Sequence, residues 1–245
     1  MGLKESGLRG SLRNVSVGID AIPDNVVLQY FATNVSGGDA TWLDDNGVAN
    51  MSLTQGETST TLSDGADALG FDGNSDEGLI TLPESLEGDG LKSFAIEFSG
   101  ALNHDRTESI TGHVNDNDGQ ILQIRFNFDE DFNEDPGNIY LRLDDKDGNR
   151  LQFAPSSNPN LNDGQRHDVS LVINDSDEND VGIIIDGTNV SLSFRDQEGP
   201  SNFGPWESDM PISRDDFGVS NLEWDLGAMR FWDSGIGQQS IGDFE

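Results

Sequence analysis

The chain has no cysteine, so neither a disulfide framework nor thiol chemistry contributes to it. It has no apolar run near the roughly 18 residues of a membrane span, which excludes a spanning helix. The opening MGLKESGLRGSLRNVS lacks the apolar segment of a conventional secretory signal. The expectation is therefore a protein that reaches an exposed position by another route, such as assembly into a particle within the cell or removal of a leader. Cations are scarce, with only three lysines (Lys4, Lys92 and Lys146) and ten arginines. The histidines, His104, His113 and His167, are scattered and show neither a His-x-His nor a His-Glu-x-x-His spacing, so no zinc site is expected. There is no Gly-x-Ser-x-Gly elbow and no glycine loop built to cradle phosphate.

Acid dominates what is present. Asp and Glu number 46 against 13 Lys and Arg, a net charge of −33 over 245 residues. Charge of this density can signal disorder, but here it is interleaved with regular strand patterns and implies an acidic surface on a folded body. At low salt such a surface repels itself. Molar salt, with a Debye length of about 3 Å, screens it. The Asp excess and Lys scarcity resemble proteins of extreme halophiles. The same charge argues against a nucleic-acid partner, whose phosphates it would repel.

The apolar residues are 33% of the chain and the mean hydropathy is −0.51, but they come in strand-sized clusters. With 29 glycines and many Asn-Gly and Asp-Gly pairs, the chain is rich in turns. In residues 163–187, DGQRHDVSLVINDSDENDVGIIIDG, Val169, Leu171 and Ile173 alternate with polar residues, and Ile183, Ile184 and Ile185 form a β-branched run before an Asp186-Gly187 turn. Residues 26–33, 69–73, 78–86, 93–100, 107–114, 120–128, 138–145, 148–154 and 222–234 also read as strands. Residues 48–68 read as loop with one short strand, and residues 199–211 as a Pro/Gly/Trp loop. No amphipathic helix and no fixed-period repeat is visible. The reading is an all-β fold, a two-sheet antiparallel jelly-roll sandwich over residues 26–245.

Residues 1–25 differ from this body. Lys4, Arg9 and Arg13 against Glu5 leave +2 on residues 1–18, so the rest of the chain carries −35. Four glycines (Gly2, Gly7, Gly10 and Gly18) and the leucines Leu3, Leu8 and Leu12 lie there. Residues 1–25 are expected to be a basic, glycine-rich arm that anchors the body to an acidic partner or to its own symmetry mates, the alternative being a frayed terminus.

Five segments in order resemble laminin-G-like domains of the concanavalin A-like lectin/glucanase superfamily. They are Leu69–Gly73, Phe94–Phe98, Asp163–Val172, Ile185–Gly187 and Leu226–Trp232. Arg166 departs from the family's usual tryptophan, and the closing Ser240-Ile241 lacks the usual following glutamate. The resemblance implies a jelly roll of two curved sheets, often binding carbohydrate or protein and often holding calcium at one rim. It also raises glycoside hydrolysis, which needs a carboxylate pair about 5–5.5 Å apart for retention. The glucanase relatives place that pair on one strand as Glu-x-Asp-x-(x)-Glu. Here Glu223 and Asp225 supply the first half, but residues 227 and 228 are Gly and Ala. A non-enzymatic role is expected, with Glu223 and Asp225 on a solvated strand face.

For calcium, Asp175, Asp177 and Asn179 put oxygens at alternate positions, and Asp129 with Asp131 is a second cluster. In a chain this rich in Asp, such runs also arise from composition alone. Trp206 and Phe203, in the 199–211 loop, could stack on a sugar ring or plug the sandwich. His167 and Trp232 are expected to be structural.

The function expected is a non-enzymatic structural and recognition protein on the virion surface of a halophilic-archaeal virus: a capsid turret, spike, decoration protein or tail fibre. It would be a trimer or pentamer, joined to other virion proteins by the arm, and would face a host-surface glycan or glycoprotein. The alternatives are a carbohydrate-binding module or glycoside-hydrolase relative, and an extracellular cell-surface adhesion domain.

Overall fold

A computed structural model describes residues 26–36, 41–54, 58–73, 77–83, 94–115, 120–129, 131, 133–145, 147, 149–173, 181–197, 209–215 and 223–233. Among the described residues every regular element is a strand. In chain order these are β1 (Val26–Ser36), β2 (Thr41–Asp44), β3 (Met51–Leu53), β4 (Thr58–Thr61), β5 (Asp67–Asp72), β6 (Gly78–Thr81), β7 (Phe94–Ala101), β8 (Glu108–Asn115) and β9 (Gln120–Phe128). They continue with β10 (Glu134–Asp144), β11 (Arg150–Pro155), β12 (Arg166–Ile173), β13 (Val181–Ile185), β14 (Thr188–Asn189), β15 (Leu192–Gln197), β16 (Asp209–Ile212), β17 (Arg214–Asp215) and β18 (Glu223–Trp232).

They form two sheets. The larger has twelve strands in the order β14-β13-β12-β7-β18-β1-β2-β3-β6-β16, with β5 on β18 and β4 on β5; the smaller runs β15-β11-β10-β9-β8-β17. Pairing is antiparallel except for the two-residue contact of β17 with β8. The fold is thus the all-β two-sheet sandwich that the alternating segments imply. The calcium-like residues Asp175, Asp177 and Asn179, the loop aromatics Trp206 and Phe203, and the basic Lys4, Arg9 and Arg13 lie outside the described residues.

Alternation explains the core. In β7, Phe94, Ile96 and Phe98 face the second sheet, and β12 sets Val169, Leu171 and Ile173 beside them in register. Leu122, Ile124 and Phe126 of β9 and Ile139, Leu141 and Leu143 of β10 meet them from the smaller sheet, all buried in one cluster. The Asp186-Gly187 pair has positive φ at both residues (49° and 71°), the geometry of a tight two-residue hairpin turn. His167, on β12, closes this region: Nδ1 lies 2.8 Å from Asp186 Oδ2, and Nε2 lies 3.2 Å from Asp163 Oδ1.

Strand β18 is the spine of the larger sheet. One edge pairs with β7 throughout. The other pairs with β5 over Glu223–Leu226 and with β1 over Ala228–Trp232. The register against β7 slips between Leu226 and Ala228, leaving Gly227 as a bulge. The bulge inverts the alternation. Trp224 therefore points into the sandwich against Phe98 and Phe126, whereas Trp232 packs with Ala95, Val172 and Ile184 in a separate cluster on the outer face. Trp232 is fully buried, as expected, but not between the sheets.

The outer face also buries a polar row. Ser170, Glu97, Arg230 and Gln29 lie side by side across β12, β7, β18 and β1. Each is buried, and Glu97 is 1% exposed. Arg230 Nε donates to Gln29 Oε1 at 3.1 Å and Nη1 to Glu97 Oε2 at 3.3 Å, while Ser170 Oγ donates to Glu97 Oε1 at 3.2 Å. Burial pushes the Glu97 carboxyl from its ordinary 4.5 up to about 7, against the pull of Arg230 and Ser170.

This fixes a pH signature. An acid with a raised folded pKa contributes its full stability below the unfolded value and loses it as pH rises through the folded one. Wild-type stability relative to Glu97→Gln should fall by about 3 kcal/mol between pH 4.5 and 8. Urea denaturation of both proteins in molar KCl measures the difference, and parallel pH curves would contradict it.

Candidate binding cleft on the outer face

Where β5, β18 and β7 run side by side, the outer face opens into a polar cleft of about 230 Å³. Thr58 comes from β4, Gly70 and Asp72 from β5, Ala101 from β7, Asn103 and His104 from the turn after it, and Glu223 and Asp225 from β18. The register assembles them: Glu223 pairs with Asp72, Asp225 with both Gly70 and Ala101, and Thr58 with Gly70. Gly70 keeps the floor low, since a Cβ there would sit 3.1 Å from Asp225 Oδ1 and 3.3 Å from Thr58 Oγ1. Gly100 is more tightly constrained, because a Cβ would lie 2.6 Å from the Asp225 carbonyl oxygen.

One wall is built around a buried carboxylate. Glu108, at the start of β8 in the other sheet, is fully buried. Its Oε2 accepts from the Glu223 backbone N–H at 2.6 Å and lies 3.1 Å from His104 Nε2; its Oε1 is 3.3 Å from Arg106 Nη2. Arg106 also pairs with the Glu223 carboxylate. His104 Nε2 lies 2.8 Å from the Glu223 carbonyl oxygen as well. Both neighbours of Nε2 are acceptors, so that nitrogen carries the hydrogen, and Nδ1 accepts from the Arg106 backbone N–H at 3.3 Å. Burial alone would push the His104 pKa down; the Glu108 hydrogen bond and the Glu223 carbonyl outweigh it and hold the ring above its usual value. Asn127 fixes the turn from below. It is a fully buried residue at φ 57°, and its Nδ2 donates to the carbonyl oxygens of His104 (3.0 Å) and Arg106 (2.6 Å).

The cleft presents mainly acceptors: the carboxylates of Asp72, Glu223 and Asp225, with the Asn103 amide and the Thr58 hydroxyl able to do both. Desolvation, aided by the Glu223 charge, raises the pKa of Asp225. Among the described residues no group of three or more His, Asp or Glu is arranged to hold a metal ion. Asp129 and Asp131, the second calcium candidate, lie in the β9–β10 turn. Asp129 Oδ1 accepts from the backbone N–H of Asp131 (2.9 Å) and of Asn133 (2.8 Å), and Asp131 is exposed. Asp145 repeats the device in the β10–β11 turn, accepting from the N–H of Asp147 and Asn149 at 2.9 Å each.

Glu223 and Asp225, expected on a solvated strand face, are exposed and half-buried respectively, and the register makes that face one side of the cleft. Thr58, Asp72, Asn103 and His104 were missed, since three separate segments supply them and the Leu69–Gly73 pattern that contains Asp72 speaks to fold and not to a site. Glu108 opens a strand of mixed polar and apolar residues, Glu108–Asn115, and nothing in that pattern marks it as buried.

No protein-family profile matches this sequence, and no curated protein sequence matches it. Solved structures do match in shape. The chain is similar to the binding domain of Paraclostridial Mosquitocidal Protein 1, with a TM-score of 0.65 and 12% identity over 89% of this chain and 51% of that one. It is similar to the botulinum neurotoxin serotype G binding domain (TM-score 0.62, 10% identity, 88% and 49% covered). It is likewise similar to the receptor binding domain of botulinum neurotoxin D (TM-score 0.61, 12% identity, 89% and 52% covered). The chain spans about half the length of these structures. At such identities the likeness is one of fold.

Glu108 holds the cleft wall through charge-assisted bonds in a buried setting. Glu108→Ala should lower unfolding free energy by about 2 kcal/mol, because the Glu223 N–H loses its acceptor and His104 Nε2–H keeps only the Glu223 carbonyl oxygen. Glu108→Gln, which keeps one oxygen, should lose less. Equal stabilities in urea titrations of all three proteins would refute this role.

Proposed function

We propose that the chain is a non-enzymatic recognition domain whose outer-face cleft binds a neutral, hydroxyl-rich ligand of the kind a surface glycan presents. The observation that carries this reading is the cleft's acceptor-dominated lining on a body of net charge −33. Such a lining takes hydrogen-bond donors and repels sialylated or sulfated sugars. The fold likeness to the receptor binding domain of botulinum neurotoxin D supports a recognition role. Hydrolysis is disfavoured because Glu223 is tied to Arg106, and because Gly227 and Ala228 stand where a glucanase would carry the second glutamate.

Within this reading the domain faces outward from a particle or cell bathed in concentrated salt. The acidic composition supports a halophilic setting, and the oppositely charged residues 1–18 support an arm that joins the body to other copies or to other virion proteins. A turret, spike, decoration protein or tail fibre of a halophilic-archaeal virus fits these properties. A cell-surface adhesion domain shares the cleft but not the need for the arm.

Glycan-array binding in molar KCl tests the recognition role. Selective binding to neutral glycans is expected, without turnover. Asp225→Asn and Glu223→Gln should each weaken it at least about tenfold, one lost charge-assisted hydrogen bond. Binding should also decline as the pH falls through the raised Asp225 pKa, where the carboxylate loses its charge and one oxygen turns from acceptor to donor. Retained affinity in both variants, or release of a cleaved sugar, would overturn the reading.

A further inference from the structure

A second cleft lies on the same face, beyond the Gly227 bulge. There the outer edge of β18 passes from β5 to β1, and the two departing strands leave a gap of about 220 Å³. Phe31, Ala32, Leu62, Ala66 and Ala228 line it, and Gly227 contributes no side chain to its floor. The lining is mostly apolar, and the space suits a branched aliphatic side chain, given that a dry cavity of about 150 Å³ accepts benzene.

Charge surrounds the gap. Arg166 borders it, but its guanidinium is engaged by the protein. Nε donates to Ser99 Oγ at 2.7 Å and lies 3.3 Å from Asp168 Oδ1, and Nη1 donates to Asp64 Oδ2 at 3.2 Å. Asp64 and Asp168 pair with that guanidinium, and Asp67 adds a further carboxylate to the lining. The fitting occupant is an aliphatic knob with a cation beside it.

The chain's own N-terminus has that pattern three times. Leu3-Lys4, Leu8-Arg9 and Leu12-Arg13 each put a leucine directly before a basic residue, within a segment of net +2. We propose that the cleft between β1 and the β4–β5 hairpin is the seat of the chain's own residues 1–18, one leucine filling the gap and the adjacent cation meeting Asp64, Asp67 and Asp168. Reach is ample. Val26 pairs with Trp232, and Phe31, at the cleft, pairs with Ala228, so the cleft begins about 17 Å along β1. The 14 residues from Leu12 to Val26 span up to about 50 Å when extended. Tethering gives an effective concentration on the order of millimolar, so a weak contact suffices. In molar salt the ion pairs are screened and the leucine carries the contact. An arm seated this way is withheld from neighbouring copies until assembly displaces it. The inference needs residues 1–18 to be an arm; it does not need the polar cleft to bind a glycan.

The absence of native cysteine makes the test clean. In the full chain, Leu8→Cys is combined with Ala66→Cys at the cleft or with Val48→Cys as a control. Val48 is 53% exposed and follows Asn46, whose side chain donates to the Val26 carbonyl at the root of the arm. Under mild oxidation in molar KCl, the Ala66 pair should form an intrachain disulfide at least tenfold faster than the Val48 pair. A rate no faster than the control, or disulfides only between chains, overturns the proposal. A second readout uses Ala66→Cys alone. Its thiol should label several-fold faster once Leu3, Leu8 and Leu12 are replaced by serine, and an unchanged rate also overturns the proposal. Glycan binding through Asp225 is scored separately, so neither result can stand in for the other.

Discussion

Everything on the larger sheet depends on how β18 is shared. One edge of that strand is committed to β7, while the other must serve β5 and then β1. A single extra residue, Gly227, reconciles the two, because a bulge both bends the strand and inverts its alternation. Before it, Trp224 completes the aromatic core with Phe98 and Phe126. After it, Arg230 and Trp232 turn to the outer face, where Arg230 meets buried Glu97. The two clefts flank this bulge, one polar and one apolar. A methyl at Gly227 would meet Leu62 Cδ1 at 3.3 Å and two backbone carbonyls at 3.5 Å, so it would press on the tip of Leu62 at the edge of the apolar cleft.

The acidic residues fall into two physical kinds. Most of the excess makes the surface charge that molar salt would screen. A smaller set is structural. Asp44 is buried and accepts the backbone N–H of Gln29, Asn46, Val48 and Ala49, Asp129 and Asp145 close hairpin turns, and Glu108 ties the two sheets together beneath the polar cleft. These carboxylates satisfy backbone donors that a tight turn or sheet crossing would otherwise bury unpaired. Composition alone does not separate the two kinds, since both are spelled with the same letters.

The legibility of the sequence follows the range of the interaction. Strands with local alternation, such as Phe94–Ala101 and Arg166–Ile173, were readable because period-two patterning reflects the two faces of one sheet. The Asp186-Gly187 turn was readable because only a few residue pairs accept positive φ. The pairing of β1 with β18 was not, since partners some 200 residues apart leave no local trace. Residues 199–211 read as loop, yet β16 begins at Asp209, because Met210 and Ile212 become a strand only when β6 pairs with them. Thr41–Asp44, where the sequence suggests only a turn opening at Asp44, becomes a strand through its pairing with β1 and β3. The polar cleft combines both cases: Glu223 and Asp225 stood out, while Thr58, Asp72 and His104 join them only through the register.

The proposed recognition takes place on the outer face of the larger sheet, in the cleft lined by His104, Glu223 and Asp225. Amide chemical-shift mapping in molar KCl, during titration with neutral oligosaccharides, addresses it residue by residue. Saturable shifts are expected at Thr58, Gly70 to Asp72, Asn103, His104 and Glu223 to Asp225. Shifts centred on the smaller sheet or on the Ala66 cleft, or none across a panel of neutral oligosaccharides, would contradict the proposal.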